Sequence, residues 1–189
     1  MAKLKKAYRT QYRYTLTPLG LEATQHLRRT FFAQAQETVE RDEGTFKFFG
    51  SDGFLMFFGI PVAHEDHARR AVLAALRLQK SMHDGLATLK AEPAAEMTVR
   101  IGIHTGPIAI RSLSGHQPAW SITQTETTTL AFWLHYHAKA GVLLTTRATI
   151  PLVQDAVAYA EYGPVRIPRY TEPIMTYQIY EQSYKQSIS

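Results

Sequence analysis

Hydrophobic and polar positions divide the chain into short alternating runs and three longer stretches of helical period. In residues 7–15, Tyr8, Tyr12 and Tyr14 share one side of an alternating pattern, which predicts a strand unusually polar for the middle of a sheet. Thr17-Pro18-Leu19-Gly20 reads as a turn and helix start. Over 21–41, Leu27, Phe31, Ala35 and Val39 recur every four residues, with Phe32 and Thr38 alongside and Arg28, Arg29, Gln36 and Glu40 opposite. That is an amphipathic helix, with Gly44 expected at its C-terminal cap. Residues 45–61 hold two aromatic runs around Gly50-Ser51-Asp52-Gly53, a hairpin signal because glycine accepts the positive φ of a tight turn. Both runs are apolar at nearly every position, so both faces of the hairpin should be covered.

A second helix is expected from Asp66 to about His83, its apolar face formed by Ala68, Val72, Ala75, Leu76, Leu78 and Met82, with a surface loop over 84–96. In 97–110, Val99, Ile101 and Ile103 alternate with Arg100, Gly102 and His104, a strand that bends at Thr105-Gly106-Pro107. Gly102 and Gly106 have no side chain, so another backbone or a partner subunit can come close there. After a polar turn over 112–118, a strand is expected around Trp120 and Ile122, then a helix over 125–139 with Leu130, Ala131, Leu134 and Ala138 on one face. A short buried strand (142–145), a brief helix (147–153) and a closing hairpin through Val165, Ile167, Ile174, Tyr177 and Ile179 complete the chain. Pro168 and Pro173 fit only its turn or edge. The order β-α-β-β-α-β-β-α-β plus a hairpin predicts one domain, 1–189: a mixed sheet covered by helices.

Composition adds constraints. With 189 residues and 45% apolar content the chain can bury a sizeable core, and no apolar run approaches the roughly 20 residues a membrane span needs. There is no signal-peptide pattern and no cysteine, which fits the cytoplasm and excludes disulfides and thiolate metal sites. The net charge is +5, with Lys3, Lys5, Lys6, Arg9 and Arg13 clustered in the basic segment 1–15. A solvated terminus is the plainer reading, and no helix-turn-helix, zinc finger or aromatic RNA-binding signature argues for nucleic acid. His64 and His67 flank Glu65 and Asp66, but Asp66 is better explained as an acid at a helix start than as a metal ligand. His135 and His137, two apart on a helix, point apart. His104 reads as a satisfied strand residue.

Four blocks resemble the class III nucleotidyl cyclase catalytic domain, the adenylate/guanylate cyclase homology fold. They are Gly44 to Pro61 with its Gly-Ser-Asp-Gly turn, Ala63-His-Glu-Asp-His-Ala68, Val99-Arg-Ile-Gly-Ile-His-Thr-Gly-Pro107, and Thr171-Glu-Pro173 with Tyr177. The resemblance spans residues 20–182. It implies an α+β fold with a ferredoxin-like βαββαβ core, extra strands and a C-terminal hairpin. It also implies sites shared between two subunits, where two carboxylates hold two divalent metals that activate a ribose hydroxyl for attack on the α-phosphorus.

Carried over residue by residue, the resemblance implies losses at the chemical positions. The first-strand acid should fall in 7–12, yet there is no Asp or Glu between Met1 and Leu21. Asp52 is the candidate hairpin acid, one residue beyond the family spacing, so that either Ser51 or Asp52 holds the metal position. Lys47 matches the base-selecting lysine and Glu126 its polar partner. Thr129 stands at the asparagine position, Trp133 at the transition-state arginine, and Pro168 at the phosphate-binding lysine, with Arg166 and Arg169 beside it.

A catalytically degenerate domain is therefore expected, dimerising and regulatory in signal transduction, with a residual purine site through Lys47 and Glu126 and no cofactor. The alternative is an active enzyme using Mg²⁺ or Mn²⁺ to make cyclic AMP from ATP, as a homodimer with non-standard residues or as half of a heterodimer. Nucleic-acid binding through the basic segment is the remaining reading.

Overall fold

The computed structural model describes residues 3–16, 21–49, 53–88, 97–113, 119–122 and 125–182. The elements follow the expected order: β1 (Lys3–Leu16), α1 (Leu21–Arg41), β2 (Thr45–Phe49), β3 (Gly53–Phe58), α2 (His67–Thr88), β4 (Met97–Leu113), β5 (Ala119–Ile122), α3 (Glu126–His137), β6 (Leu143–Thr146), β7 (Ala158–Val165) and β8 (Ile174–Tyr180), with a 3-10 turn at Ile150–Leu152. The strands form one sheet in the order β2-β3-β1-β4-β6-β8-β7, and β5 pairs with the far end of β4. The first four, in the order β2-β3-β1-β4, are antiparallel and are joined through α1 and α2, which is the ferredoxin-like core. β4 and β6 run parallel, and β8 and β7 close the opposite edge.

Alternation along β4 builds the two layers. Val99, Ile101 and Ile103 face α1 and α2, packing with Phe31, Ala35 and Val39 of α1, Val72, Ala75 and Leu78 of α2, and Phe54, Met56 and Phe58 of β3. On the other face lie Gly102, His104 and Gly106, under α3. A Cβ on Gly102 would sit 2.3 Å from the Ala131 carbonyl oxygen and 2.4 Å from the His135 nitrogen. The missing side chains thus admit the backbone of the chain's own α3, one of the two kinds of approach the sequence leaves open. On the same face, Phe57 of β3 packs with Ile60 and Ile108.

Several local expectations change. The basic N-terminal segment is not a solvated tail: it is the central strand β1, paired with β3 through Tyr8↔Phe58 to Arg13↔Gly53 and with β4 through Lys3↔Ile110 to Leu16↔Met97. β4 runs unbroken through Thr105-Gly106-Pro107, with Pro107 opposite Lys6, so the expected bend is absent. α2 continues to Thr88, a turn and more into the expected loop; 89–96 lie outside the described residues. Of the two hairpin strands, β3 is covered on both faces and β2 is not. β2 is the sheet edge, where Lys47 and Phe48 are exposed.

At the end of α1 the left-handed residue is Glu43 (φ 57°), not Gly44. Gly44 is required for space, since a Cβ there would lie 2.7 Å from Phe58 Cε1 and 2.8 Å from Val39 Cγ1. Glu43 is held by Arg70, which also donates to Asp66 at 2.8 Å. The Arg70 guanidinium keeps the Asp66 carboxyl below its ordinary range, and Asp66 stands just before α2 as an i,i+4 partner.

Candidate cyclase-type cleft

α3 is set by its first residues. Thr125 is the N-cap: its side chain accepts from the Thr128 N–H while its own N–H donates to Thr128 Oγ1, a reciprocal capping box. Thr127, buried, donates to the Pro107 carbonyl at 2.7 Å and ties the helix start to β4. One turn below, His104 is buried with Nδ1 2.7 Å from Thr146 Oγ1. Burial pushes its imidazole down to about 4, against the counter-pull of Glu126, so it is neutral at pH 7.

Above this floor lies a cleft of about 710 Å³ between α3 and the β7–β8 loop. The α3 side contributes Thr125, Glu126, Thr129 and Trp133; the loop contributes Pro168, Arg169 and Tyr170. Tyr170 donates a 2.7 Å hydrogen bond to Glu126 Oε1 and spans the cleft. Burial, and then the Glu126 carboxylate, raise the Tyr170 hydroxyl above its ordinary pKa, so it stays a donor. Trp133 and Tyr170 both pack on Leu130, Val165 and Ile167. Trp133 also meets Phe132 and Tyr136 edge-on at 5.5 and 5.4 Å. Arg169 has φ 75°, a left-handed conformation strained for a residue with a Cβ.

The cleft therefore unites Glu126, Thr129, Trp133, Pro168 and Arg169, five positions singled out in the sequence from segments some forty residues apart. Arg166 is exposed and not part of its walls, and neither is Lys47 on β2. Asp52 and Ser51 lie outside the described residues. Sequence reasoning missed Tyr170 and Thr125. Thr125, with a second hydroxyl three residues on, carries a capping signal that can be read. Tyr170 carries none, because its partner is 44 residues away.

A two-metal site needs at least two carboxylates. β1 contains no acid, and its register sets Arg13 opposite Gly53, at the mouth of the hairpin turn. Among the described residues no group of three His, Asp or Glu side chains could hold a metal ion, and His64 with His67 is no exception. Among the described residues no set of side chains fits a pair of divalent cations.

Fold and cleft together define a nucleotidyl-cyclase-type domain. Residues 27–181 match the adenylate and guanylate cyclase catalytic domain, and the chain belongs to that family. Among solved structures, it is similar to the adenylyl cyclase CyaB from P. aeruginosa (TM-score 0.81, 20% identity, covering 95% of this chain and 96% of that one). It is similar also to the guanylate cyclase domain of RhGC from Catenaria anguillulae, crystallised with GTP (TM-score 0.76, 18% identity, 96% and 100% covered). A third is the non-canonical dimeric guanylyl cyclase domain of the RhoGC fusion protein from Blastocladiella emersonii (TM-score 0.71, 17% identity, 96% and 97% covered). At these identities the likeness shows the fold. No curated protein matches the sequence. No helix among the described residues is long and apolar enough to cross a membrane.

Proposed function

We propose that this domain does not make cyclic nucleotide by itself and serves as a dimerising, regulatory cyclase-homology module in cytoplasmic signal transduction. The observation that carries the reading is the cleft. Thr129, Trp133 and Pro168 converge in it, at positions where the family resemblance implies an asparagine, an arginine and a lysine. Threonine cannot offer an amide donor, and neither tryptophan nor proline brings a cation to a pentavalent phosphorus. Loss of one such preorganised donor costs on the order of 2.7–4 kcal/mol of barrier. The acid-free β1 removes metal support as well.

The heterodimer alternative asks this chain for one complete half of a site. Its metal half lacks the β1 acid, and its transition-state half lacks the amide, the guanidinium and the ammonium, so neither half is complete. Dimerisation is supported by the family resemblance, which implies sites shared between two subunits; the Blastocladiella domain is described both as a non-canonical dimer and as a monomer. A residual purine site rests on Glu126 in the cleft, with less support from Lys47, which does not line it.

A Mn²⁺-supplemented turnover assay with ATP and with GTP tests the reading. No product above a heat-killed control is expected from the purified protein, and cyclic nucleotide above that control overturns it. Sedimentation of the same sample checks the dimer.

A further inference from the structure

The β7–β8 loop is fixed at its foot and free at its tip. Val165 and Ile167 are buried against Leu130 of α3. Beyond them Pro168, Arg169, Thr171, Glu172 and Pro173 are all exposed, and Tyr170 alone turns back. Its ring lies half-buried on that cluster, and its hydroxyl donates to Glu126 Oε1 at 2.7 Å. Among the described residues this is the one side-chain hydrogen bond between the loop and α3. The residue before it, Arg169, has φ 75°, a strained conformation for a side chain with a Cβ. Backbone outliers of this kind persist where their surroundings hold them, and they recur at switch segments. Here bond and strain oppose each other: Tyr170 on Glu126 holds the turn, and the Arg169 backbone favours its release. Neither effect is large, since Glu126 is exposed and water competes for it. On release the hydroxyl and the carboxylate both pass to water, so no buried polar group is orphaned. The prolines at 168 and 173 limit the conformations of the segment between them, which lowers the entropy lost on reclosure.

We propose that residues 168–173 form a latch that closes the cleft from within. Tyr170 on Glu126 is the shut state; its release frees the acid and uncovers Trp133, which packs on the same cluster. Any ligand of the cleft must displace Tyr170 first, so the latch sets the fraction of molecules open to it. Such a device suits a regulatory domain, and it operates whether or not the domain turns over substrate.

The test uses the whole chain and no ligand. Hydrogen exchange over 166–173, followed by mass spectrometry, reads how often the loop opens. Acrylamide quenching reads the exposure of Trp133 in a Trp120→Phe background, where it is the sole tryptophan. Tyr170→Phe keeps the ring and removes the hydroxyl. Exchange roughly tenfold faster and quenching about twofold stronger are expected, at unchanged circular dichroism. Glu126→Ala should do the same from the other side, and the double variant should open no further than the stronger single one, because both remove one bond. Arg169→Gly should act in the opposite direction: glycine accepts φ 75°, so the shut state gains and exchange slows about fivefold. A loop merely loosened by substitution does not give opposite signs. The proposal is overturned if Tyr170→Phe and Glu126→Ala exchange within about twofold of wild type, if the double variant shows the product of the two single effects, or if Arg169→Gly speeds exchange. Glu126 is exposed, so Glu126→Ala remains informative if Tyr170→Phe fails to fold.

Discussion

Gly102→Ala should move α3 and the cleft with it. The added methyl would lie 2.3 Å from the Ala131 oxygen, 2.4 Å from the His135 nitrogen and 2.9 Å from Leu134 Cβ. The two closest atoms are helix backbone and cannot rotate away. The shortest is about 0.7 Å inside the 3.0 Å that side-chain carbons tolerate, so the helix must lift by roughly that much. Overpacking of this kind costs about 1–3 kcal/mol, and a gap of ~0.5–1 Å opened along Ala131, Leu134 and Ala138 forfeits a quarter to a half of each dispersion contact. The upper part of the range, about 2–3 kcal/mol, is expected. Urea unfolding should show a lower midpoint at unchanged slope, and the melting temperature should fall by roughly 5–10 °C. Gly141→Ala is the control. It has φ 72° and nothing within 4 Å of where a Cβ would stand, so its cost is backbone strain alone, about 1 kcal/mol, with no movement of α3. A Gly102→Ala protein within about 0.5 kcal/mol of wild type, or no worse than the Gly141 variant, would refute the close approach of α3 to β4.

Other outcomes follow from the same geometry. His104 titrates near 4 when folded and near 6.5 when unfolded, so between those values the unfolded chain takes up a proton that the folded chain refuses. Stability is complete above pH 6.5 and falls by about 3 kcal/mol as pH drops through that window; urea midpoints at pH 7, 5.5 and 4 measure it, and a His104→Gln protein with the same slope would assign the loss elsewhere. Arg169→Gly relieves the left-handed strain at φ 75° and should raise stability by about 1 kcal/mol; a destabilised variant would contradict it. Trp133→Arg combined with Thr129→Asn restores two family side chains but no β1 acid, so the Mn²⁺ turnover assay should stay blank; cyclic AMP from this variant would defeat the metal argument.

The helices are legible in the sequence because their burial is periodic and local. Phe31, Ala35 and Val39 on α1, and Leu130, Ala131, Leu134 and Ala138 on α3, are all buried as the four-residue spacing requires. β1 reads as a polar strand or a solvated tail because its alternation of Tyr with Lys and Arg says nothing of its partners. Its place at the centre is decided by β3 and β4, far along the chain. Pro107 suggests a bend for a similar reason: the break expected of proline is local, whereas the long β1–β4 ladder that carries the strand through it is not. The resemblance puts Lys47 at the base-selecting position, and in the structure Lys47 is exposed on β2, the sheet edge; apolar composition alone does not separate that edge strand from its buried neighbour β3.

The division of labour on α3 explains why the fold is easier to read than the activity. Leu130, Ala131, Leu134 and Ala138 bind the helix to the sheet and to the β7–β8 loop, and Gly102 sets its depth. Glu126, Thr129 and Trp133, spaced by three and four residues, form a separate stripe along the cleft. The first set fixes where the stripe lies, and the second fixes only what it can bind. Substitutions in the stripe, such as a tryptophan where the family resemblance implies an arginine, can therefore change the cleft's chemistry with little change in the packing that identifies the family. By the same logic Glu126→Gln should alter binding at nearly constant stability, whereas Gly102→Ala should alter both. A protein in which those two responses were interchanged would not be built this way.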